Sequence, residues 1–275
     1  MAKAISKKPL VKKSAIKKTT AGKANGSIPE QTATAFIKML EAHRSDAELK
    51  KHHRFFKFDE SKSVKGMQFM GVRMGQIFSI AHGFMEMPPA EIRKLLKSPM
   101  YEVRTGACSI MGKQGTFKKT TDARRKELYD LYLDNHQYID HWGHVDLAAH
   151  KVIGSYLYDF KKPRAILYKL ARSKDLWERR SAIISTLYFI GKGDVDDAFK
   201  LADLLVNDNE EFVQTATGWA LRYAGDKDGK QLLRFLDKHA ATMPRITLRF
   251  ALEHLDKKKR EHYMSLKKKS VRGVE

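Results

Sequence analysis

From residue 31 onward, apolar side chains recur at steps of three and four, as in Ala198, Leu201, Ala202 and Leu205, the spacing that lines one face of a helix. The pattern predicts helices over 31–43, 46–51, 72–85, 89–97, 101–111, 121–135, 140–158, 163–173, 177–190, 195–206, 211–224, 227–239, 245–255 and 258–266, and no convincing period-two strand. The breaks are short and carry residues that stop helices: Gly112, Gly115, Lys162-Pro163, Gly191-Lys192-Gly193 and Gly225 through Gly229.

A longer period lies over this one. Helices that follow Ser98-Pro99, Asp140, Ser173-Lys174-Asp175 and Asn207-Asp208 begin at intervals of 42, 33 and 34 residues. Each carries small residues at its middle, Gly106-Ala107, Ala148-Ala149, Ser181-Ala182 and Thr215-Ala216, as close helix stacking requires. Helix pairs at that period predict an all-α fold, an α-solenoid of HEAT-like repeats with a concave face. The repeat alone also suits a generic protein-binding scaffold.

Charge narrows the choice of partner. The chain holds 53 Lys and Arg against 32 Asp and Glu, a formal charge of +21, which implies a polyanion or an anionic surface as its counterpart. Residues 1–27 contain eight Lys and no acid, and residues 257–275 contain eight Lys and Arg against two Glu, so two thirds of the excess lies at the termini. The expected organisation is a disordered Lys-rich tail (1–27), a solenoid domain (28–256) and a basic extension (257–275). The tail reads either as a solubilising segment or as an arm that grips phosphate in a salt-dependent way. A single cysteine, Cys108, rules out an internal disulfide and a thiolate zinc site. With no apolar run near the roughly 18 residues of a membrane span and no secretory leader, the expectation is a cytoplasmic, nucleoid-associated monomer.

The segment Tyr138 to Gly154, YIDHWGHVDLAAHKVIG, holds the most suggestive chemistry. Trp142 and Asp146 lie one helical turn apart, so their side chains share a face. His141, His144, Asp146 and His150 invite a metal reading, but the spacing matches neither H-E-x-x-H nor a cysteine-containing zinc pattern. Gly191-Lys192-Gly193-Asp194 is too short for a phosphate-binding loop and follows no strand.

Three segments, HWGHVD (141–146), LWERRSAI (176–183) and EFVQTATGWALRYAG (211–225), together with FMGVRMGQIFSIA (69–81), resemble the AlkD-like family of DNA alkylation-repair glycosylases. The likeness spans roughly residues 35 to 255. It implies an enzyme that removes cationic purines such as 3-methyladenine and 7-methylguanine from duplex DNA, with no metal, no cofactor and no lyase step. It marks Asp146 as the catalytic carboxylate, Trp142 and Trp219 as aromatic walls, and Arg180 as a contact to phosphate. Arg179, Arg222, Arg245 and Arg249 stand where a phosphate track could run. Arg73 departs from the uncharged polar residue some relatives carry there, and Trp177 reads as core.

The residue types suit that chemistry on physical grounds. An alkylated purine already carries positive charge and leaves without being protonated. What remains is to stabilise an oxocarbenium sugar and orient water, which a nearby carboxylate does by charge. Indole faces favour a cation through the ring quadrupole. The alternative is a non-catalytic relative that uses the same solenoid to hold branched or damaged DNA.

Overall fold

The computed structural model describes residues 29–56 and 66–266. The expected tail, 1–27, and residues 267–275 lie outside the described residues. The helices are α1 (Ala33–Glu41), α2 (Asp46–Phe56), α3 (Met74–His82), α4 (Pro89–Leu96), α5 (Tyr101–Thr116), α6 (Asp122–Asp134), α7 (Trp142–Ala149), α8 (Ser155–Asp159), α9 (Ala165–Ala171), α10 (Leu176–Gly191), α11 (Asp196–Leu205), α12 (Glu211–Lys227), α13 (Gly229–His239), α14 (Arg245–Ala251) and α15 (Lys257–Ser265). Every helix expected from periodicity is present. Among the described residues the only β pairing is an isolated bridge between Gln68 and Met100.

Helices α3, α5, α7, α10, α12 and α14 stack side by side in one layer, while α4, α6, α9, α11 and α13 pack behind them. This is the HEAT-like α-solenoid, and the four helices with the repeated starts all fall in the first layer. A continuous apolar cluster runs between the layers from Phe36 to Tyr263. The helix α15 belongs to this body as well: Tyr263 is buried and donates to Asp237 Oδ1 at 2.7 Å, while Arg245 donates to the carbonyls of Met264 and Leu266. The fold thus continues past the boundary expected at residue 256, because a buried tyrosine anchors the last basic helix.

The segment expected as one helix over 140–158 is interrupted by a π turn at His150–Gly154 that joins α7 to α8. Backbones approach closely on both sides of it. A Cβ at Gly115 would lie 2.4 Å from the Lys151 carbonyl, and one at Gly154 would lie 2.3 Å from that of Ser185. Only glycine permits α5, the π turn and α10 to come so near. Such widened turns occur often at functional sites.

Two buried polar features lock the layer. Glu102, fully buried on α5, accepts the backbone N–H groups of Met70, Gly71 and Val72 at 2.8–3.3 Å, and Gly71 takes a φ of 77° to present its own. Burial works to raise the Glu102 carboxyl, but His52 and these N–H donors outweigh it and hold it below the ordinary carboxylate range. Replacing Glu102 by Ala leaves three buried donors unpaired. We expect a loss of stability of about 3 kcal/mol or more in chemical denaturation; a loss under about 1 kcal/mol would contradict the arrangement.

The second feature is a set of neutral histidines around α7. Burial lowers His136 and His144, pushes His141 down to about 3 and pushes His150 down to about 4. In the unfolded chain each imidazole returns to near 6.5, so the unfolded state takes up protons that the folded state refuses. Stability is therefore whole above that pH and falls as pH drops below it, by about 1.4 kcal/mol per unit for each histidine. The melting temperature should drop steeply between pH 7.5 and 5.5, and a flat profile would refute the neutral set.

Candidate active site

Helices α7, α10 and α12 bring together residues far apart in sequence. His141 precedes α7 and its Nδ1 accepts from the Gly143 N–H at 3.0 Å, which fixes the start of the helix so that Asp146 falls one turn further along. Asp175 caps α10 by accepting from Trp177 N at 2.6 Å and Glu178 N at 3.3 Å, which places Arg180 opposite Asp146.

Arg180 forks onto the Asp146 carboxylate, Nε to Oδ1 at 3.0 Å and Nη2 to Oδ2 at 2.8 Å. Its Nη1 donates to the Phe212 carbonyl, so one guanidinium ties α10 to α7 and to the start of α12. The Arg180 carbon Cζ stands 5.7 Å from the centre of the Trp219 ring, within range of a cation–π contact. Arg180 is 1% exposed, whereas the Asp146 side chain keeps 22% of its surface open. The carboxylate is therefore held by Arg180 while part of its side chain stays open to solvent. Burial raises the Asp146 pKa above the ordinary value, and the charge and hydrogen bonds of Arg180 only partly offset this.

Trp142 opens α7 and packs against the His141 ring at 5.0 Å; it is half-buried. Asp146, Arg180 and Trp219 thus converge, with Trp142 a turn before Asp146. Trp177, read as core from the sequence, is also half-buried and lies 5.3 Å from the Phe212 ring.

The cationic side chains are disposed differently from the phosphate track the sequence suggests. Arg180 is turned inward to Asp146. Arg179 is bidentate to Asp208 at 2.6 and 3.1 Å and donates to the Ser173 and Lys174 carbonyls, bracing the loop before α12. Arg222 pairs with Glu253 and lies over the Tyr223 ring at 4.5 Å. Arg73 bonds Glu48 at 2.9 Å, but 67% of its side chain stays exposed. The physical reason is that a planar fork finds a carboxylate partner wherever one is in reach. Such partners, Asp208 and Glu253, lie about 30 residues on, where no local pattern reveals them.

Lys151 on the π turn is a site-layer cation that sequence reading passed over. Its pKa is lowered by burial and by the neighbouring Lys113, so two like charges sit together at the π turn. A cavity of about 440 Å³ opens one turn beyond the carboxylate, lined by His150, Leu187, Tyr223 and Asp226 among others. His150 follows Asp146, and Tyr223 follows Trp219, by four residues, a spacing that could have flagged both. Among the described residues no group of three or more His, Cys, Asp and Glu side chains is placed to hold a metal, and no helix is long and apolar enough to cross a membrane.

Comparisons with known proteins bear on this site. No curated protein matches the chain. The solved structures similar to it include one described as a predicted DNA alkylation repair enzyme from Enterococcus faecalis, at 15% identity and a TM-score of 0.59, covering 78% of this chain and 98% of that one. At such identity the likeness speaks for the shared fold alone. Another, from Streptococcus mutans UA159, has 18% identity and a TM-score of 0.49 over 82% of this chain and all of that one. The sequence model of the DNA alkylation repair enzyme family matches residues 36–255, most of the chain and every residue of the Asp146 site, so this protein belongs to the DNA alkylation repair enzyme family.

Proposed function

We propose that the chain is a monofunctional DNA glycosylase that hydrolyses the N-glycosidic bond of cationic alkylated purines, 3-methyladenine and 7-methylguanine, in duplex DNA, and that it works as a monomer. One observation carries the reading: the Asp146 carboxylate is gripped by a buried guanidinium that also stands 5.7 Å from the Trp219 ring, while 22% of the Asp146 side chain stays open.

In this reading the substrate base leaves with its own positive charge, so no proton donor is required. As the glycosidic bond lengthens, cationic character grows on the sugar. Asp146, held in place beforehand, stabilises that charge without reorganising and orients the attacking water. Trp142 and Trp219 offer indole faces to the deoxyribose and its growing charge. Arg180 is the positioning residue: its fork fixes the carboxylate oxygens and favours the ionised form that burial opposes. Contact with phosphate then falls to exposed cations, Arg73 among them, and those contacts set the salt dependence of binding.

The decisive experiment is release of 7-methylguanine from methylated duplex DNA. Asp146→Asn should lower the single-turnover rate by about 10²- to 10³-fold, the loss seen when one preorganised electrostatic group is removed. It also strands the Arg180 charge, at a cost of about 3–5 kcal/mol in stability. The double variant Asp146→Asn with Arg180→Gln should recover part of that stability and none of the activity. Wild-type protein that binds duplex DNA yet releases no base would sink the enzyme and leave a DNA-binding relative.

The pH profile gives a second test. Asp146 acts as an anion, and burial raises its pKa above the usual carboxylate value. Activity should therefore be full above that raised pKa and fall as pH drops through it, with the acidic limb displaced upward from where an ordinary Asp would put it. A limb at or below the ordinary carboxylate range, after correction for loss of folded protein, would contradict the assignment.

A further inference from the structure

Phe55, in the last turn of α2, is the most exposed large apolar side chain among the described residues, at 70%. It touches Phe56 edge-on at 5.0 Å. Phe56 in turn packs in the body, 5.1 Å from Tyr101 and 5.5 Å from His141, and His141 meets Trp142 at 5.0 Å. Three ring-to-ring steps therefore lead from Phe55 to the first residue of the helix that carries Asp146. That path bounds the separation of the Phe55 and Trp142 rings at about 15 Å, a span of four or five base-pair steps at about 3.4 Å each. That separation is within the length of a duplex seated at Asp146.

The charge around Phe55 suits the same occupant. Lys51 lies one turn before it on the same helical face, with Lys50 and Arg54 beside that face, all exposed. Arg73, which bonds Glu48 on the second turn of α2, keeps 67% of its side chain open. Glu48 pairs with Lys51 at 2.7 Å and with Arg73 at 2.9 Å, which leaves Lys50 and Arg54 as the exposed cations nearest Phe55 on this helix, while Asp46 lies more than two turns away. A bare aromatic ring within a ring of cations fits a partner with a polyanionic rim and a stack of flat apolar faces inside it.

We propose that Phe55 is an apolar wedge that enters the duplex at a base step near the lesion, while Lys50 and Arg54 hold the flanking phosphates. Proteins that insert such wedges unstack one step and gain a bent duplex that wraps more protein surface. Here the gain is specific. Opening the stack a few steps away loosens the damaged nucleotide so that its sugar can approach Asp146, which neither moves nor encloses the base. The inference rests on the reading of Asp146 as a site for duplex DNA, but it assigns to Phe55 a task that reading leaves undone.

The test uses the full chain and a duplex with a tetrahydrofuran abasic site, which it cannot cleave, with 2-aminopurine placed in turn at the steps on either side. Wild type should raise the fluorescence several-fold at one step. Phe55→Ala should abolish that rise and weaken binding by about tenfold, the scale of losing one base–aromatic stack, without changing the salt slope. Phe55→Leu should keep much of the signal. Lys50→Gln and Arg54→Gln should keep the signal but lower the salt slope by about one each. Because Phe55 is exposed, its variants should fold as wild type does. An undiminished signal from Phe55→Ala that still binds overturns the wedge and leaves the Asp146 reading standing. Failure of wild type to bind duplex overturns both, and a variant that changes only the oligomeric state marks Phe55 as a contact between copies instead.

Discussion

The site hangs on one buried charge pair. Arg180, with almost no surface exposed, spans three helices: it forks onto Asp146 of α7, reaches the Phe212 carbonyl at the start of α12 and projects from α10 itself. A guanidinium so placed costs a good deal of hydration, and only the complete set of acceptors offsets it. Any shift of α7 against α10 would leave a charge unpaired in the interior. The pair therefore fixes the spacing of the layer at the point where Asp146 must be held, and the geometry of the carboxylate is as rigid as the packing behind it.

The packing is arranged to allow this. Glycines at 115 and 154 let the π turn sit nearly backbone to backbone with α5 and α10. Behind Arg180, Ser181 bonds Tyr132 at 2.8 Å and His136 at 2.9 Å, which ties α10 to the second layer. The neutral histidines fill the space around α7 without bringing further charge near Asp146. The strongest local field on the carboxylate thus comes from one cation, placed on the side away from solvent. Ring contacts also run from Phe55 through Phe56 and the buried His141 to Trp142, so the end of α2 is tied through the interior to the start of the site helix.

The fold was almost wholly legible beforehand. Apolar spacing is a local property, and a helix that buries one face must repeat it, so each expected helix is there and the small residues at positions such as Ala148-Ala149 and Ser181-Ala182 lie where helices stack. The π turn was not legible, because the residues on either side of it keep a helical pattern and only the approach of neighbouring backbones requires the wider turn. The reach of the body through α15 was hidden for a like reason: Lys257 to Arg260 read as solvated charge, and only Tyr263 meeting Asp237 across the fold shows that the helix docks.

For the site, the sequence by itself determined which residues to watch. Trp142 and Asp146 share a face because 3.6 residues make a turn, and the segments holding Arg180 and Trp219 follow at the repeat period. It could not determine what the arginines do. A guanidinium serves a phosphate or a carboxylate equally well, and the choice depends on which anion lies within about 3 Å once the chain is folded. Asp208 reaches Arg179, Glu253 reaches Arg222, and Asp146 itself reaches Arg180. Each of these pairs joins residues about 30 apart, one repeat away, so stacking of the repeats and not the local pattern decided them. Tertiary structure made Arg180 the support of the carboxylate, gave Lys51 and Arg73 to Glu48, and left Lys50 and Arg54 exposed.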